Sequence, residues 1–411
     1  MAASRSPRSD LPRSSNVQKT LDPCVILMKE IIQEYAHLWD DRGGVLSLAQ
    51  GVVYWDPPPT VTEALQHAIQ NDPVLHTYGP DEGLPELRDA LKAKLSHENG
   101  LHHHLPLVTV GANQAYMNVV LTLLSPTTSS AVVFRPYYFN HVMAIQLMGG
   151  AVVVGPCSEA GVPDAQWLEQ QLQHDATISM VTITNPGNPT GVSLSRDQLN
   201  EYIAITKKYR VWLILDCTYE HFDHLHGSTT FECCNDETAE HVMYLFSFSK
   251  GHALAGFRCG YVVLHECHQY GVYQQMRKVQ DTIPICPPRI SQVAAIGAMA
   301  ASRRWVLDQV QTLIPSRILI VDALSVLSHT MGGSGAMYVM GKLLDGMKDQ
   351  EVCRALVRDF GIAIIPGSFC GFPGWIRVCY SNLPPEKCAV AAARLKEGLV
   401  HLCAAHEESS K

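Results

Sequence analysis

Short apolar runs rich in β-branched residues, each bounded by turn signals, recur through the middle of the chain. They are AVVF (131–134), AVVV (151–154), SMVTIT (179–184), VWLIL (211–215), VMYLF (242–246) and GYVVL (260–264). Runs that are apolar on both faces predict strands buried on both sides. Between several of them lie segments with helical spacing, such as DAQWLEQQL (164–172) and SRDQLNEYIAITKKY (195–209). This alternation predicts a mostly parallel sheet covered by helices on both faces. The pattern changes near residue 300. Helical segments RILIVDALSVL (317–327) and PEKCAVAAARLKEGLVHL (385–402) there flank short strands AMYVM (336–340) and WIRVCY (375–380). The chain therefore reads as α/β: an N-terminal tail and arm over 1–45, a large domain over 46–300, and a smaller α+β domain over 301–411. A chain of 411 residues exceeds the size at which one core stops growing, which also favours two domains.

Bulk properties narrow the function. A net charge of −8 argues against nucleic acid or an anionic membrane as partner. No apolar run approaches the ~18 residues of a membrane span. The 13 cysteines include no CxxC pair, and the adjacent Cys233 and Cys234 suit disulfide geometry poorly. Free thiols in a reducing, cytoplasmic setting are expected. The opening MAASRSPRSDLPRSSNV reads as a disordered tail, with an organellar transit peptide as the alternative. No apolar segment follows its arginines, so a secretory signal is not expected.

In a parallel sheet, functional groups collect at the carboxyl ends of strands. Here those ends carry unusual polar residues. SMVTIT runs into NPGNPTG, with Asn188; VWLIL runs into Asp216 and then Tyr219; VMYLF runs into SFSK, with Ser247, Ser249 and Lys250, and Arg258 follows. Singly, each has an ordinary explanation: a turn, a helix cap, a surface ion pair. Together they match the needs of pyridoxal phosphate, which requires a lysine amine for a Schiff base and an acid to keep its ring nitrogen protonated. Lys250 and Asp216 supply these, and Asn188 and Tyr219 would donate to the ring oxygen. VTVGANQAYMNVVLTLL reads as a strand, a turn at Gly111 and a helix whose first amides, at Ala112 and Asn113, would meet a phosphate. Ser247, Ser249 and Arg258 complete that cup. Tyr138, in RPYYFN, is the candidate for stacking on the ring, although a core tyrosine is the plainer alternative.

SFSKGHALAGFRCG, NPGNPTG, DCTYE and WIRVCYS resemble the class I aminotransferases of the fold type I pyridoxal-phosphate superfamily, over almost the whole chain. LAQGVVYWDPPP, TYGPDEGLPELRDAL, VGANQA, RPYYFN and QDTIPIC resemble more narrowly the plant-type cytosolic aromatic aminotransferases. The resemblance implies exchange of amino groups among aromatic amino acids, methionine and 2-oxo acids, with Lys250 as the Schiff-base lysine. It also implies that Arg377, with the backbone of Gly51, grips the substrate α-carboxylate. Tyr78 is implied to reach the cofactor phosphate of a neighbouring subunit, hence a homodimer with shared sites. Phe257, Cys259 and Arg135 depart from the family pattern, and Arg135 bears on substrate range. Dicarboxylate-specific relatives place a partner arginine near VQDTIPICPP (279–288), where this chain offers Asp281, read as a buried acid hostile to a second carboxylate. A lyase on the same scaffold, β/γ-eliminating or cyclopropane-forming, is the alternative enzyme. A non-catalytic regulatory module is disfavoured by Arg377. His102–His104 and His221, His224 and His226 read as solvated loop histidines, and no metal is expected.

Overall fold

The structure is a computed structural model that describes residues 14–224 and 239–409. Seven strands form the main sheet: β1 (His104–Thr109), β2 (Ser130–Phe134), β3 (Ala151–Gly155), β4 (Ile178–Thr184), β5 (Trp212–Asp216), β6 (Val242–Ser247) and β7 (Gly260–His265). Their order across the sheet is β1-β7-β6-β5-β4-β2-β3. All neighbours pair in parallel except β7, which runs antiparallel to both β1 and β6. The six apolar runs are strands with ends within one residue of those expected. β1 begins earlier than VTV suggested, because the histidine and proline in HLP conceal its start.

Alternate residues of each strand face opposite sides of a sheet, and both sides are covered here. Leu213 and Leu215 join a core with helices Pro85–Asn99, Ala165–His174, Arg196–Lys208 and Arg289–Ala300, while Ile214 joins another with Ala112–Leu123 and Phe139–Met148. That explains why the strands lack polar alternation. Local signals set the covering helices. Ser195 and Gln198 make a reciprocal capping box at the start of Arg196–Lys208, and Lys207 and Lys208 stand at its end, where the dipole favours cations.

The C-terminal region forms its own antiparallel sheet, in the order Ile365–Pro366, Trp375–Cys379, Tyr338–Lys342 and His329–Gly332. Its core includes Leu48 and Trp55 from far earlier in the chain, and Leu46–Ser47 pairs in parallel with Ile362–Ala363. Helix Cys24–Tyr35 buries Met28 and Ile31 against Phe139, Val357 and Ile365. Residues 46–55 thus bridge the two layers and floor the space between them. Among the described residues no helix is long and apolar enough to cross a membrane.

Candidate active site

Because β1, β4, β5 and β6 are parallel, Thr109, Thr184, Asp216 and Ser247 end on one edge of the sheet. That edge opens onto a cleft closed from the other side by Ala49–Val52, Tyr338 and Arg377. Its volume of about 330 Å³ falls within the ~300–1,000 Å³ of small-molecule sites. Ala112, Asn113, Tyr138, Asn188, Asp216, Tyr219, Ser247, Ser249, Lys250, Arg258, Gly51 and Arg377 all line it.

Lys250 donates from Nζ to the Gly51 carbonyl at 2.6 Å. Burial, assisted by the charges of Arg377 and Arg258, lowers its pKa to about 8. Desolvation disfavours the ammonium, so the amine is primed as a nucleophile. Asp216 is only 5 % exposed. Burial works to raise its pKa, but His141 Nε2 at 3.1 Å from Oδ2, with the Thr218 hydroxyl and amide on Oδ1 at 2.6 and 3.1 Å, holds it below the usual value. An ionised carboxylate is thereby fixed at the cleft floor. The His141 ring is itself held by Tyr116, with centroids 4.2 Å apart.

Arg377, 4 % exposed, donates to the Ala49 carbonyl at 2.7 Å and to Asn188 Oδ1 at 3.1 Å. Its guanidinium carbon lies 4.6 Å from the Tyr338 ring centroid. No carboxylate pairs with it among the described residues, and its buried Nε has no hydrogen-bond partner there. From Asn188 the network continues: Nδ2 donates to Tyr219 Oη at 3.2 Å, and Tyr219 and Tyr338 share a hydroxyl contact at 2.8 Å. A Cβ on Gly51 would lie 2.0 Å from Tyr338 Oη, so position 51 has no room for a side chain while Tyr338 keeps its place.

The anion cup is assembled at the mouth of helix Ala112–Leu123. Gly111, at φ 79°, turns the chain into that helix, and a Cβ there would sit 2.4 Å from Arg258 Nη2. Arg258, itself at φ 54°, donates from Nη1 to the Ala255 carbonyl at 3.0 Å and to Ser249 Oγ at 3.4 Å. Tyr138 accepts from Asn140 at 2.8 Å and donates to Asn113 at 3.4 Å. The positive end of a helix, a guanidinium and two serines make a phosphate-binding set.

The comparisons with known proteins decide the family. Residues 44–395 match the model of aminotransferase class I and II. The chain is a member of this family. It is 40% identical over 363 residues to aromatic aminotransferase ISS1 of Arabidopsis thaliana, covering 87% of this chain and 90% of that one. It is 28% identical to aspartate/prephenate aminotransferase of Thermus thermophilus, over 83% of this chain and 88% of the other. The structure of aspartate aminotransferase from Thermus thermophilus with maleate superposes with a TM-score of 0.83 at 25% identity, covering 95% of this chain and 100% of that one.

Class I and II aminotransferases use pyridoxal phosphate, and this aminotransferase's residues fit that group. The fit rests on an amine of lowered pKa, a buried ionised carboxylate, the Arg258 cup over Gly111, and a buried guanidinium with an unpartnered nitrogen. Tyr78 is not brought to the cleft of its own chain: it is 75% exposed. Asp281 requires a correction, since it is exposed on the outer helix Gln274–Thr282 and is no buried acid in this chain. The histidines need another. His104 is part-buried inside β1, where desolvation lowers its pKa to about 4. His221 lies between Glu98 and Glu220, His224 bonds the Ala336 carbonyl, and His226 lies outside the described residues. Sequence reading missed His141, Thr218 and Tyr338. Thr218 stood in DCTYE and was legible; the other two sit in apolar stretches that read as core.

Proposed function

We propose that this aminotransferase moves amino groups between aromatic amino acids or methionine and 2-oxo acids, with pyridoxal phosphate held in the cleft described above. When bound, the cofactor supplies a conjugated, electron-withdrawing ring that acidifies the substrate Cα–H. Asp216 keeps its charge toward the ring nitrogen. Asn188 Nδ2 and the Tyr219 hydroxyl would donate to the ring oxygen, and Tyr138 would hold the ring face. The amides of Ala112 and Asn113, with Ser247, Ser249 and Arg258, hold the phosphate. Lys250 Nζ would anchor the cofactor, and its amine is the group that would move the Cα proton. Arg377, beside the Gly51 backbone, orients the substrate carboxylate. The single observation that carries the reading is Arg377: a buried cation with no acidic partner among the described residues is a costly arrangement that an anionic substrate group offsets.

The aromatic preference is supported by the Arabidopsis relative's name and by the cleft lining. Val25, Val52, Tyr138 and Phe139 are among the residues that line it, with Arg258 and Arg377 as its arginines. The test is a half-reaction comparison. Phenylalanine, tyrosine, tryptophan or methionine should convert the bound cofactor to its amine form with kcat/KM at least ~10-fold above aspartate. Aspartate as the best donor overturns the preference, and continuing turnover of an amino acid without any oxo acid overturns transamination itself.

A homodimer accompanies this proposal. Tyr78, Val74, Ile283 and Ile285 are exposed on two segments joined where Gly79 meets Cys286 and Arg289 meets the Tyr78 carbonyl. The described cysteines carry thiols rather than disulfides, which supports a reducing, cytoplasmic setting. The division into a tail and arm (1–45), large domain (46–300) and small domain (301–411) belongs to the same reading.

A further inference from the structure

The edge of the sheet opposite the cleft gathers side chains that the transamination machinery does not use. β1 and β7 pair with His104 opposite His265, and the two rings stand 5.2 Å apart, edge to face. Beyond β7 the chain turns through Glu266–His268, and the His265 ring caps that turn, Nδ1 accepting from the Cys267 amide at 3.2 Å. Glu240 arrives from a distant stretch, two residues before β6 begins. The carboxylate of Glu240, a ring nitrogen of His265 and Sγ of Cys267 offer ligand atoms that all lie within 4.8 Å of one another.

We propose that Glu240, His265 and Cys267 form a divalent transition-metal site of the zinc class. The donor set carries the choice of ion. A thiolate, an imidazole and a carboxylate make a mixed S/N/O set suited to a tetrahedral borderline ion, and calcium or magnesium would want oxygen alone. The thiolate and carboxylate together cancel the ion's two charges. Zinc bonds of ~2.0–2.3 Å place neighbouring ligand atoms somewhat under 4 Å apart. The contraction from the observed spacing falls on Glu240 and Cys267, whose exposed side chains already meet in a hydrogen bond, and the His265 ring, in giving its lone pair to the ion, gives up the one that Nδ1 now offers the Cys267 amide. Three protein ligands leave the fourth position to water. Glu240 is far in sequence from His265 and Cys267, so the pattern shows no CxxC or HxxxH spacing and is invisible until β6 and β7 pair.

The site has a mechanical consequence. Glu240 leads into β6, whose far end carries Ser247, Ser249 and Lys250, and His265 closes β7, whose start packs under Ala112 at Gly260. An ion there ties the outer ends of the two strands that build the cofactor cup, and it does so without touching the cleft.

The test uses full-length holoenzyme, reduced and stripped of metal by a chelator. Zinc is titrated against a chromophoric chelator, and cobalt(II) is added separately as a spectroscopic probe. The expected result is one zinc per chain and a near-ultraviolet thiolate-to-cobalt band. Cys267→Ser should abolish the band and weaken zinc at least ~10-fold. Glu240→Gln and His265→Gln should weaken zinc similarly while transamination with saturating substrates stays at the parent rate. Zinc bound no more tightly by the parent than by the Cys267→Ser variant, or a cobalt band that survives that substitution, overturns the proposal.

Discussion

At the scale of single residues, the site depends on holding charges in the state that water would not choose. Lys250 is the sharpest case, its pKa lowered to about 8 from an ordinary ~10.4. Below that value the amine is protonated and inert toward an aldehyde; above it, neutral and reactive. The rate at which apoenzyme takes up pyridoxal phosphate should therefore climb with pH and level off just above 8, as followed by the rise in bound-cofactor absorbance. A rise that continues beyond pH ~10 would mean that the amine is not desolvated. Lys250→Ala should retain phosphate-anchored cofactor but turn over at less than ~1% of the parent rate. Asp216 is the opposite charge in the same logic. Asp216→Asn preserves shape but frees His141 and Thr218 from a carboxylate. Single-turnover deamination of phenylalanine should slow by ~10²-fold or more, about 2.7 kcal/mol of barrier. A near-parental rate would remove Asp216 from the ring-nitrogen role.

Between residue and site stand the elements that aim them, and here a buried ion pair matters. Lys94, on helix Pro85–Asn99, donates to both oxygens of Glu220 at 2.7 and 2.5 Å. Its ammonium also lies 4.4 Å from the Phe246 ring centroid on β6. One cation thus fixes the residue after Tyr219 and the strand that delivers Lys250. Burial would raise the Glu220 pKa, but the charges of Lys94 and His221 and the hydrogen bonds of Lys94 and Asn99 bring it down to about 2. The carboxyl is ~4.3 in an unfolded chain, so this stabilisation is complete above that range and is lost as pH falls toward 2. Lys94→Met should cost ~3–5 kcal/mol in urea unfolding at neutral pH, because it strands a buried carboxylate. Adding Glu220→Leu should recover much of the loss. A single variant within ~0.5 kcal/mol of the parent would show the pair to be dispensable.

The same scale shows what was legible in the sequence. Strands buried on both faces announce themselves, so β2 to β7 and the polar residues at their ends could be read directly. Chemistry carried inside an apolar element could not. Tyr338 lies in AMYVM and His141 in FNHVMAIQLM, and each looks like packing until tertiary structure sets its polar atom against Tyr219 or Asp216. His104 was misread for the converse reason: a polar-looking HHH run hides the first residue of a strand. The antiparallel placement of β7, and the joining of Leu46–Ser47 to Ile362–Ala363, depend on contacts between distant segments that local pattern does not encode.

At the scale of the whole molecule, the question is whether one chain makes a complete site. Twelve of the proposed residues line the cleft of a single chain, and Tyr78 does not. Its side chain points outward with 75% exposure while its carbonyl is held by Arg289 at 3.2 Å, so the loop is anchored and the phenol is presented. An anchored, exposed aromatic beside Ile283 and Ile285 suits a self-complementary two-fold contact. If the phenol completes the partner's phosphate cup, Tyr78→Phe should weaken cofactor retention by ~10-fold or more, the scale of one charge-assisted hydrogen bond. Mixing then separates the two geometries. In a heterodimer of Lys250→Ala and Tyr78→Phe chains, a phenol acting across the interface leaves one fully native site: Lys250 from the second chain and Tyr78 from the first. A phenol acting within its own chain leaves none. Refolded mixtures assayed at limiting pyridoxal phosphate should therefore recover activity well above either homodimer, with about half of the parent activity per heterodimer as the ceiling. Mixtures no more active than the sum of the two variants, or an active monomer by sedimentation, would show that Tyr78 does not act across an interface.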